Sequence, residues 1–296
     1  MKVYDCFQFF DENMMLDLRL NILDKHIHKF VIVESKYMHN GKEKKLVFNI
    51  NNFAKFKDKI IYIVVDSLPK GLCNTKNIQD EDERGNKIID NTLLIEHTQR
   101  NSLVKGLTEA NDDDLIIVSD VDEIPNLEAK DLKNNKKKLI HFKQSIYYYK
   151  FNLKYSSMHW YGSKACLKKN FISPQWLRDT KEKKYPLWRL DILFSKMKYN
   201  SIHHVENGGW HFTNIKSPED IFKKLKNYGH HLEFNESGLS LDDIKNMMLK
   251  NRAVYDFHVD MRSNKWTGKQ KLYKCDISEL PEYLLQNKEK YSLWMD

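Results

Sequence analysis

The residues best suited to chemistry are Asp120 and Asp122, which directly follow the apolar run Leu-Ile-Ile-Val at 115–118. This run is short, unbroken and rich in β-branched residues, which is typical of a strand buried on both faces of a parallel sheet. Pro125 cannot continue a central ladder, so we expect the strand to end near the carboxylates. Side chains two residues apart in extended chain share a side, so Asp120 and Asp122 can hold one divalent cation, and with it a diphosphate.

A second segment with chemical potential is Asn-Gly-Gly-Trp-His-Phe at 207–212. Paired glycines allow a sharp turn or a close approach to a ligand. Trp210 offers a flat surface on which a sugar or base can stack. His211 offers a nitrogen ligand that could complete the metal site, which favours Mn²⁺ over Mg²⁺. The alternative interpretation is a tight turn followed by a core aromatic residue and a hydrogen-bonded histidine.

The surrounding pattern predicts an α/β fold with a mostly parallel sheet, because apolar strand segments alternate with helical segments. The predicted strands cover 2–8, 29–35, 59–65 and 115–118, the helices cover 12–26 and 92–110, and 66–90 is predicted to be a surface loop. Aromatic-rich segments at 138–150 and 151–168 predict antiparallel strands. Ser217 and Ser240 are predicted to cap two further helices, and 281–293 is predicted to form the last one.

Composition narrows the class of protein. The 296 residues are 41% hydrophobic and 30% charged, with a formal net charge of +8. We find no long apolar segment and no signal peptide, so we expect a soluble, cytoplasmic protein without a transmembrane helix. The four cysteines are far apart, which favours reduced thiols. The positive charge is best explained by solvated surfaces. The second explanation is attraction to nucleotide diphosphates, to anionic glycans or to a membrane surface in a peripheral contact. We expect no specific binding of nucleic acid.

The chain also resembles a known family, glycosyltransferase family 17, which includes the bisecting β-1,4-N-acetylglucosaminyltransferase of N-glycan processing. The most specific motifs are Ser119-Asp120-Val121-Asp122-Glu123-Ile124-Pro125 and Gly209-Trp210-His211-Phe212. Weaker similarity is found in Asp5-Cys6-Phe7-x-Phe9-Phe10-x-Glu12, Phe30-Val31-Ile32-Val33-Glu34-Ser35, Glu96-x-x-x-Arg100, His231-x-Glu233 and Pro281-Glu282-Tyr283-Leu284-Leu285-x-Asn287.

The resemblance implies a GT-A type fold, that is, a single Rossmann-like domain over residues 1–296. Residues 1–125 would form the nucleotide-sugar-binding half. Residues 126–296 would form a mixed or antiparallel acceptor half with C-terminal helices. The implied reaction is inverting transfer of a sugar from a UDP-sugar, UDP-N-acetylglucosamine in this family, to a glycan acceptor. That acceptor could be a polysaccharide, a glycoprotein or a glycolipid.

Roles for individual residues follow from this hypothesis. Asp122, Asp120 and His211 are predicted to hold Mn²⁺ or Mg²⁺. Asp120, Arg100, Glu34 and Trp210 are candidates for contacts with the nucleotide-sugar. Arg100 could instead pair with Glu96, and Glu34 could cap a turn. The acceptor base is sought among Glu233, Glu206 and Asp191, with Glu233 favoured by its motif. Tyr147–Tyr149, Trp160 and Tyr161 would form either core or an acceptor platform.

Two rival functions share some of these features. A metal-dependent nucleotidyltransferase would also carry acidic metal ligands on an α/β fold, but the chain has no Gly-rich phosphate loop near its start. A non-catalytic, basic glycan- or nucleic-acid-binding protein would explain the positive charge, and it predicts binding without turnover.

Overall fold

The computed structural model describes residues 1–130, 132, 137–183, 185–186, 188–192, 194–228, 231–257 and 265–296, which form a mixed α/β structure with two β-sheets. Its strands are β1 (Val3–Phe9), β2 (Lys29–Ser35), β3 (Ile60–Val65), β4 (Leu115–Asp120), β5 (Glu123–Pro125), β6 (Leu139–Phe142), β7 (Gln144–Tyr148), β8 (Leu153–Trp160), β9 (Lys164–Leu167), β10 (Ile202–Val205), β11 (Gly209–Thr213) and β12 (Tyr273–Lys274). Its α-helices are α1 (Asn13–Leu23), α2 (Glu81–Asn101), α3 (Pro174–Asp179), α4 (Pro218–Asn227), α5 (His231–Glu236), α6 (Leu241–Leu249) and α7 (Glu282–Gln286).

The first sheet has seven strands in the order β10-β6-β9-β4-β1-β2-β3. Strands β3, β2, β1 and β4 run parallel, whereas β9 is antiparallel to both β4 and β6. Gln8 in β1 is in register with Asp120 in β4, and Phe9 is in register with Glu34 in β2. The carboxyl ends of these strands therefore meet at one edge, as the sequence predicted for the mostly parallel part of the sheet.

Alternation along the central strands divides the core into two layers. In β4, Ile117 packs with Phe7 and Phe30 on one face, while Ile116 packs with Tyr4 on the other. Both faces are covered, which explains why 115–118 is uninterruptedly apolar. The layer that contains Ile117 continues into the second sheet, so the two sheets share one hydrophobic core.

The second sheet has five strands in the order β12-β8-β7-β11-β5. Strand β5 lies at its edge and pairs antiparallel with β11, while β11 runs parallel to β7. The edge position accommodates Pro125, whose nitrogen has no hydrogen to donate. The edge strand follows the first sheet after only two residues, so the Asp-x-Asp segment connects the two sheets.

Several predicted boundaries are confirmed and two are wrong. Ser217 caps α4 and Ser240 caps α6, each through its hydroxyl. The predicted loop at 66–90 contains the start of α2, because the Asp80 side chain accepts from the Glu83 amide and caps the helix. The predicted helix at 281–293 is reduced to the short α7. None of the four cysteines is in a disulfide, and no helix in the described part of the chain is long and apolar enough to cross a membrane.

Candidate active site

A fully buried arginine fixes the turn between β4 and β5. Arg19 donates to the carbonyl oxygens of Asp120 at 3.0 Å and Glu123 at 2.7 Å. Both carboxylate oxygens of Asp5 bind the other side of its guanidinium, at 2.6 and 2.8 Å. The two carbonyl groups that flank the turn are thus held by one buried cation, which sets the position of Asp122 between them.

Asp120 is clamped by two arginines. Arg178 Nη2 lies 3.0 Å from its Oδ2, and Arg100 Nη2 lies 3.3 Å from its Oδ1. Arg100 also pairs with Glu96 at 2.7 Å, which is the alternative role that the sequence left open for it. Burial opposes ionisation of Asp120, but the two guanidinium groups outweigh it and hold its pKa below the ordinary value. Asp120 is therefore a fixed anion whose oxygens are already engaged.

Glu123 accepts more hydrogen bonds than either aspartate of the motif. It accepts hydrogen bonds from Arg178 Nη1 at 2.5 Å, Trp160 Nε1 at 2.6 Å and the Asp120 amide at 2.7 Å. A Cβ at Gly162 would lie 2.1 Å from the Glu123 carboxyl carbon, so only glycine fits beside it. Glu123 is a buried structural anchor that links the turn to Arg178 and Trp160.

Asp122 has a different environment from its neighbours. Its Oδ1 lies 3.8 Å from His211 Nε2, and its Oδ2 lies 4.0 Å from Lys224 Nζ. Burial raises the pKa of Asp122, and His211 and Lys224 offset only part of that effect. The half-buried carboxylate thus lies where nearby positive charge is incomplete, which suits a carboxylate that binds a cation.

The residues around Asp122 fit a divalent ion only in part. Within the described ranges, no group of three or more His, Cys, Asp or Glu side chains is arranged to hold a metal. Two ligands about 2.1 Å from one ion at a right angle are about 3 Å apart, so Asp122 and His211 need to approach by less than roughly 1 Å. Such an ion commonly takes its other ligands from substrate phosphates and water.

Two clefts meet at Asp122, and His211 lines the outer one. The inner cleft lies at the carboxyl ends of β1 and β2 and is lined by Gln8, Phe10, Tyr37, His39 and Tyr228 among others. The outer cleft, of about 680 Å³, is lined by Trp160, Tyr161, Arg178, Asp179 and Glu182 among others. Asp120, Asp122, Lys224 and Tyr228 line both clefts. The volume of the outer cleft is in the range of roughly 300–1,000 Å³ typical of ligand sites.

Trp210 lies on the opposite side of β11 from the site, which corrects its predicted role. Its indole Nε1 donates to the Glu279 carbonyl oxygen at 2.7 Å, and it lines a separate groove beside Tyr283. Because neighbours in a strand face opposite ways, His211 points to the clefts and Trp210 cannot. Trp160 occupies the site instead, with its ring stacked on His211 at 5.3 Å between centroids. Tyr147–Tyr149 are buried core residues.

Glu34 takes the turn-capping role that was its alternative interpretation. Its buried carboxylate accepts from Lys44 Nζ at 2.6 Å, Tyr62 Oη at 2.8 Å and the amides of Val47 and Phe48. These four partners occupy it with protein donors and hold the segment after β2. We therefore do not place Glu34 among the ligand contacts.

Three acids were suggested as the acceptor base, and none of them is among the described residues that line either cleft. Glu233 forms an ion pair with Lys265. Glu206 is exposed and pairs with Lys143 at 2.8 Å. Asp191 is exposed and pairs with Arg189 at 2.6 Å and with Lys198 at 3.0 Å.

Sequence reasoning missed Arg178, Lys224 and Asp179. Arg178 and Asp179 belong to the six-residue helix α3, and no motif marks them. Lys224 is one of three lysines in α4 and only its position on the helix distinguishes it. Each reaches the site through contacts between segments far apart in the chain, for which the local sequence carries no signal.

Two comparisons with known proteins bear on the family to which this chain belongs. A search of curated proteins returned no match to this chain. The sequence model of glycosyltransferase family 17 matches residues 1–295, which include both sheets, the Asp-x-Asp turn and the Gly-Trp-His strand. The match covers nearly the whole chain, and it agrees with the family resemblance that the motifs indicated. The protein therefore belongs to glycosyltransferase family 17.

Proposed function

We propose that this glycosyltransferase is a metal-dependent, inverting enzyme of GT-A type that transfers N-acetylglucosamine from UDP-N-acetylglucosamine to a glycan acceptor. Family membership supports glycosyl transfer from a sugar donor to a glycan. The observation that carries the metal-dependent part is the Asp122–His211 pair at the junction of the clefts. The donor sugar and the inversion are inferred from the family resemblance.

The inner cleft is the proposed place of the nucleoside. Phe10, Tyr37 and Tyr228 supply ring surfaces for a planar base, and Gln8 supplies an amide. His39 is stacked against Tyr228 at 5.0 Å between centroids, and burial lowers its pKa, which keeps the imidazole neutral. Its Nδ1 is buried and has no hydrogen-bond partner in the described part of the chain, so it is available to a polar group of the nucleoside.

The junction of the clefts is the proposed place of the diphosphate. A Mn²⁺ or Mg²⁺ ion held by Asp122 and His211 would neutralise charge that develops on the departing UDP. Lys224 directs its ammonium group to the same point, 4.0 Å from the Asp122 carboxylate, and adds a fixed positive charge. Arg100 and Arg178 hold Asp120, so they orient the turn and do not contact the donor directly.

The outer cleft is the proposed place of the transferred sugar and the acceptor. Trp160 presents its ring beside His211, where a sugar can stack. Inversion requires a base that removes the proton of the attacking hydroxyl. We assign this role to Asp179, which lines the cleft and is paired with no arginine or lysine in the described residues. Its Oδ1 accepts from Gln175 Nε2 at 2.9 Å, and Gln175 in turn accepts from Arg100 at 2.5 Å.

UDP release from a panel of UDP-sugars, with Mn²⁺, Mg²⁺ or EDTA, tests this proposal. We expect metal-dependent release from UDP-N-acetylglucosamine that is lost in Asp122→Asn. The matched control is Asp113→Asn, which changes an exposed aspartate that pairs with Lys169 away from both clefts. Release that is unaffected by EDTA or by Asp122→Asn would contradict the metal role. Release of pyrophosphate from nucleoside triphosphates would instead indicate a nucleotidyltransferase.

A further inference from the structure

A basic loop at 181–198 follows α3 directly at the rim of the outer cleft. Its ends are tied together, because the Lys181 amide donates to the Met197 carbonyl oxygen at 2.8 Å. Trp176 in α3 also donates through Nε1 to the Lys196 carbonyl oxygen at 2.7 Å. Glu182, near the start of the loop, lines the outer cleft. The loop is therefore an excursion of the chain with fixed ends, placed beside the candidate active site.

Two aromatic side chains in the basic loop face solvent. Trp188 is 76% exposed and Phe194 is 88% exposed, and Met197 adds a third apolar side chain at 43%. Among the described residues, these are the only exposed Trp and Phe side chains. Two large exposed rings only six residues apart in one loop indicate a surface that is covered in function.

Positive charge is concentrated in the sequence of this loop. The basic loop contains six lysines and arginines and two carboxylates, a formal charge of +4 against +8 for all 296 residues. Asp191 is already neutralised by its pairs with Arg189 and Lys198. Lys181, Lys183 and Lys196 are exposed, so their ammonium groups are accessible to an anionic partner.

We propose that the basic loop docks the protein on an anionic lipid surface. Trp188 and Phe194 enter the headgroup region, where aromatic rings are favoured, and the lysines contact lipid phosphates. The composition favours lipid over a protein partner, because the buried parts of protein interfaces are depleted in lysine. This docking places the outer cleft next to the lipid surface. If the proposed transfer function holds, the acceptor glycan is then one carried on a membrane lipid.

Vesicle flotation tests the docking without any enzyme assay. We expect the full chain to float with phosphatidylcholine vesicles that contain about 30 mol% phosphatidylglycerol and not with pure phosphatidylcholine. The double variant Trp188→Ala, Phe194→Ala should lower the partition coefficient at least about tenfold. About 0.5 M NaCl should lower it similarly by screening the lysines. The matched control, Leu249→Ala with Leu293→Ala, removes apolar side chains that are 83% and 72% exposed elsewhere and should bind within about twofold of the wild type.

Three outcomes would overturn the docking proposal. The wild-type protein could fail to bind phosphatidylglycerol vesicles, or the Trp188, Phe194 variant could bind them as well as the wild type. Analytical ultracentrifugation could also reveal a dimer that the same variant dissociates while vesicle binding is absent, which would assign the loop to a second copy of the chain. UDP release from the donor alone reports on the transferase proposal separately, so the two proposals can fail independently.

Discussion

The imidazole of His211 lies 3.8 Å from the carboxylate of Asp122 because two segments far apart in the sequence become neighbouring strands. His211 in β11 is in register with Glu123 in β5, and the Phe212 amide donates to the Asp122 carbonyl oxygen at 2.8 Å. The same pairing places Gly209 opposite Pro125. The Asp-x-Asp turn and the Gly-Trp-His strand, which are two separate motifs in the sequence, thus form one ladder and one site.

The close approach of β5 and β11 predicts that Gly209 cannot be replaced. Its φ is +124°, and an added Cβ would lie 2.1 Å from the Ile124 carbonyl oxygen. We expect Gly209→Ala to lower the free energy of unfolding by about 4 kcal/mol or more, measured by urea denaturation. Gly238→Ala is the control, because Gly238 has φ +69° but open space around it, and it should cost about 1–2 kcal/mol. Equal losses in the two variants would refute the steric argument.

The two faces of β11 predict different consequences for two tryptophans. Trp160→Phe removes the indole donor to Glu123 and alters the surface stacked on His211, so kcat/KM should fall about tenfold. Trp210→Phe changes a ring in the separate groove and should leave kcat/KM within about twofold of the wild type. Steady-state kinetics of the two purified variants provide the comparison. A loss confined to Trp210→Phe would restore the stacking role that the sequence suggested for Trp210.

The placement of the acids predicts which of them acts as the base. Asp179→Asn should lower kcat for transfer by about 10²-fold or more, while donor binding is retained. Glu233→Gln, Glu206→Gln and Asp191→Asn should keep near-normal turnover, because their side chains line neither cleft. Kinetics with acceptor, together with UDP binding by calorimetry, separate the two effects. If Glu233→Gln alone abolished turnover, the prediction from the His-x-Glu motif would be correct and the assignment to Asp179 wrong.

A buried histidine next to the outer cleft predicts how stability depends on pH. His141 is fully buried, with Nε2 3.0 Å from Thr180 Oγ1, and burial, with smaller contributions from Lys164 and His204, lowers its pKa to about 2. Below its ordinary pKa of about 6.5, the unfolded state binds a proton that the folded state does not, so stability falls as pH decreases from that value. The slope from one such group is about 1.4 kcal/mol per pH unit.

Urea denaturation of the wild type and His141→Gln between about pH 7 and pH 4 measures this contribution. The variant should lose less stability on acidification, because it removes the group that is protonated only in the unfolded state. Parallel pH profiles for the two proteins would exclude His141 as the source. His141 contacts neither proposed metal ligand in the described contacts, so this effect is separate from the proposed chemistry.

Features that depend on a single segment of the chain could be predicted from the local sequence. The apolar run before Asp120 predicted a doubly covered strand, and Ser217 and Ser240 predicted the starts of α4 and α6. The start of α2 was missed because 66–90 is polar and contains Pro69, Gly71 and Gly85, although Asp80 and the acids after it are a helix-start pattern. Gly85 does not end the helix, because it lies inside α2, which runs from Glu81 to Asn101.

The rest of the site depends on long-range packing. The sequence analysis predicted no strand at 209–213 and therefore placed both Trp210 and His211 at the site. The structure shows that these residues face opposite sides of β11 and that the face with His211 meets Asp122. Arg178 is 58 residues from Asp120 in the chain, and α3 brings their side chains to 3.0 Å. Such a contact depends on how α3 packs beside β4 and β9, which no spacing in the sequence encodes.

Calorimetric titration of Mn²⁺ in the presence of UDP tests the central claim most directly, namely that Asp122 and His211 together hold a divalent ion. The account predicts one bound ion per chain and affinity that falls at least about tenfold in Asp122→Asn and in His211→Ala. Asp113→Asn, with its exposed carboxylate outside the clefts, should bind as the wild type does. Absence of Mn²⁺ binding in the wild type, or undiminished binding in Asp122→Asn, would contradict the account.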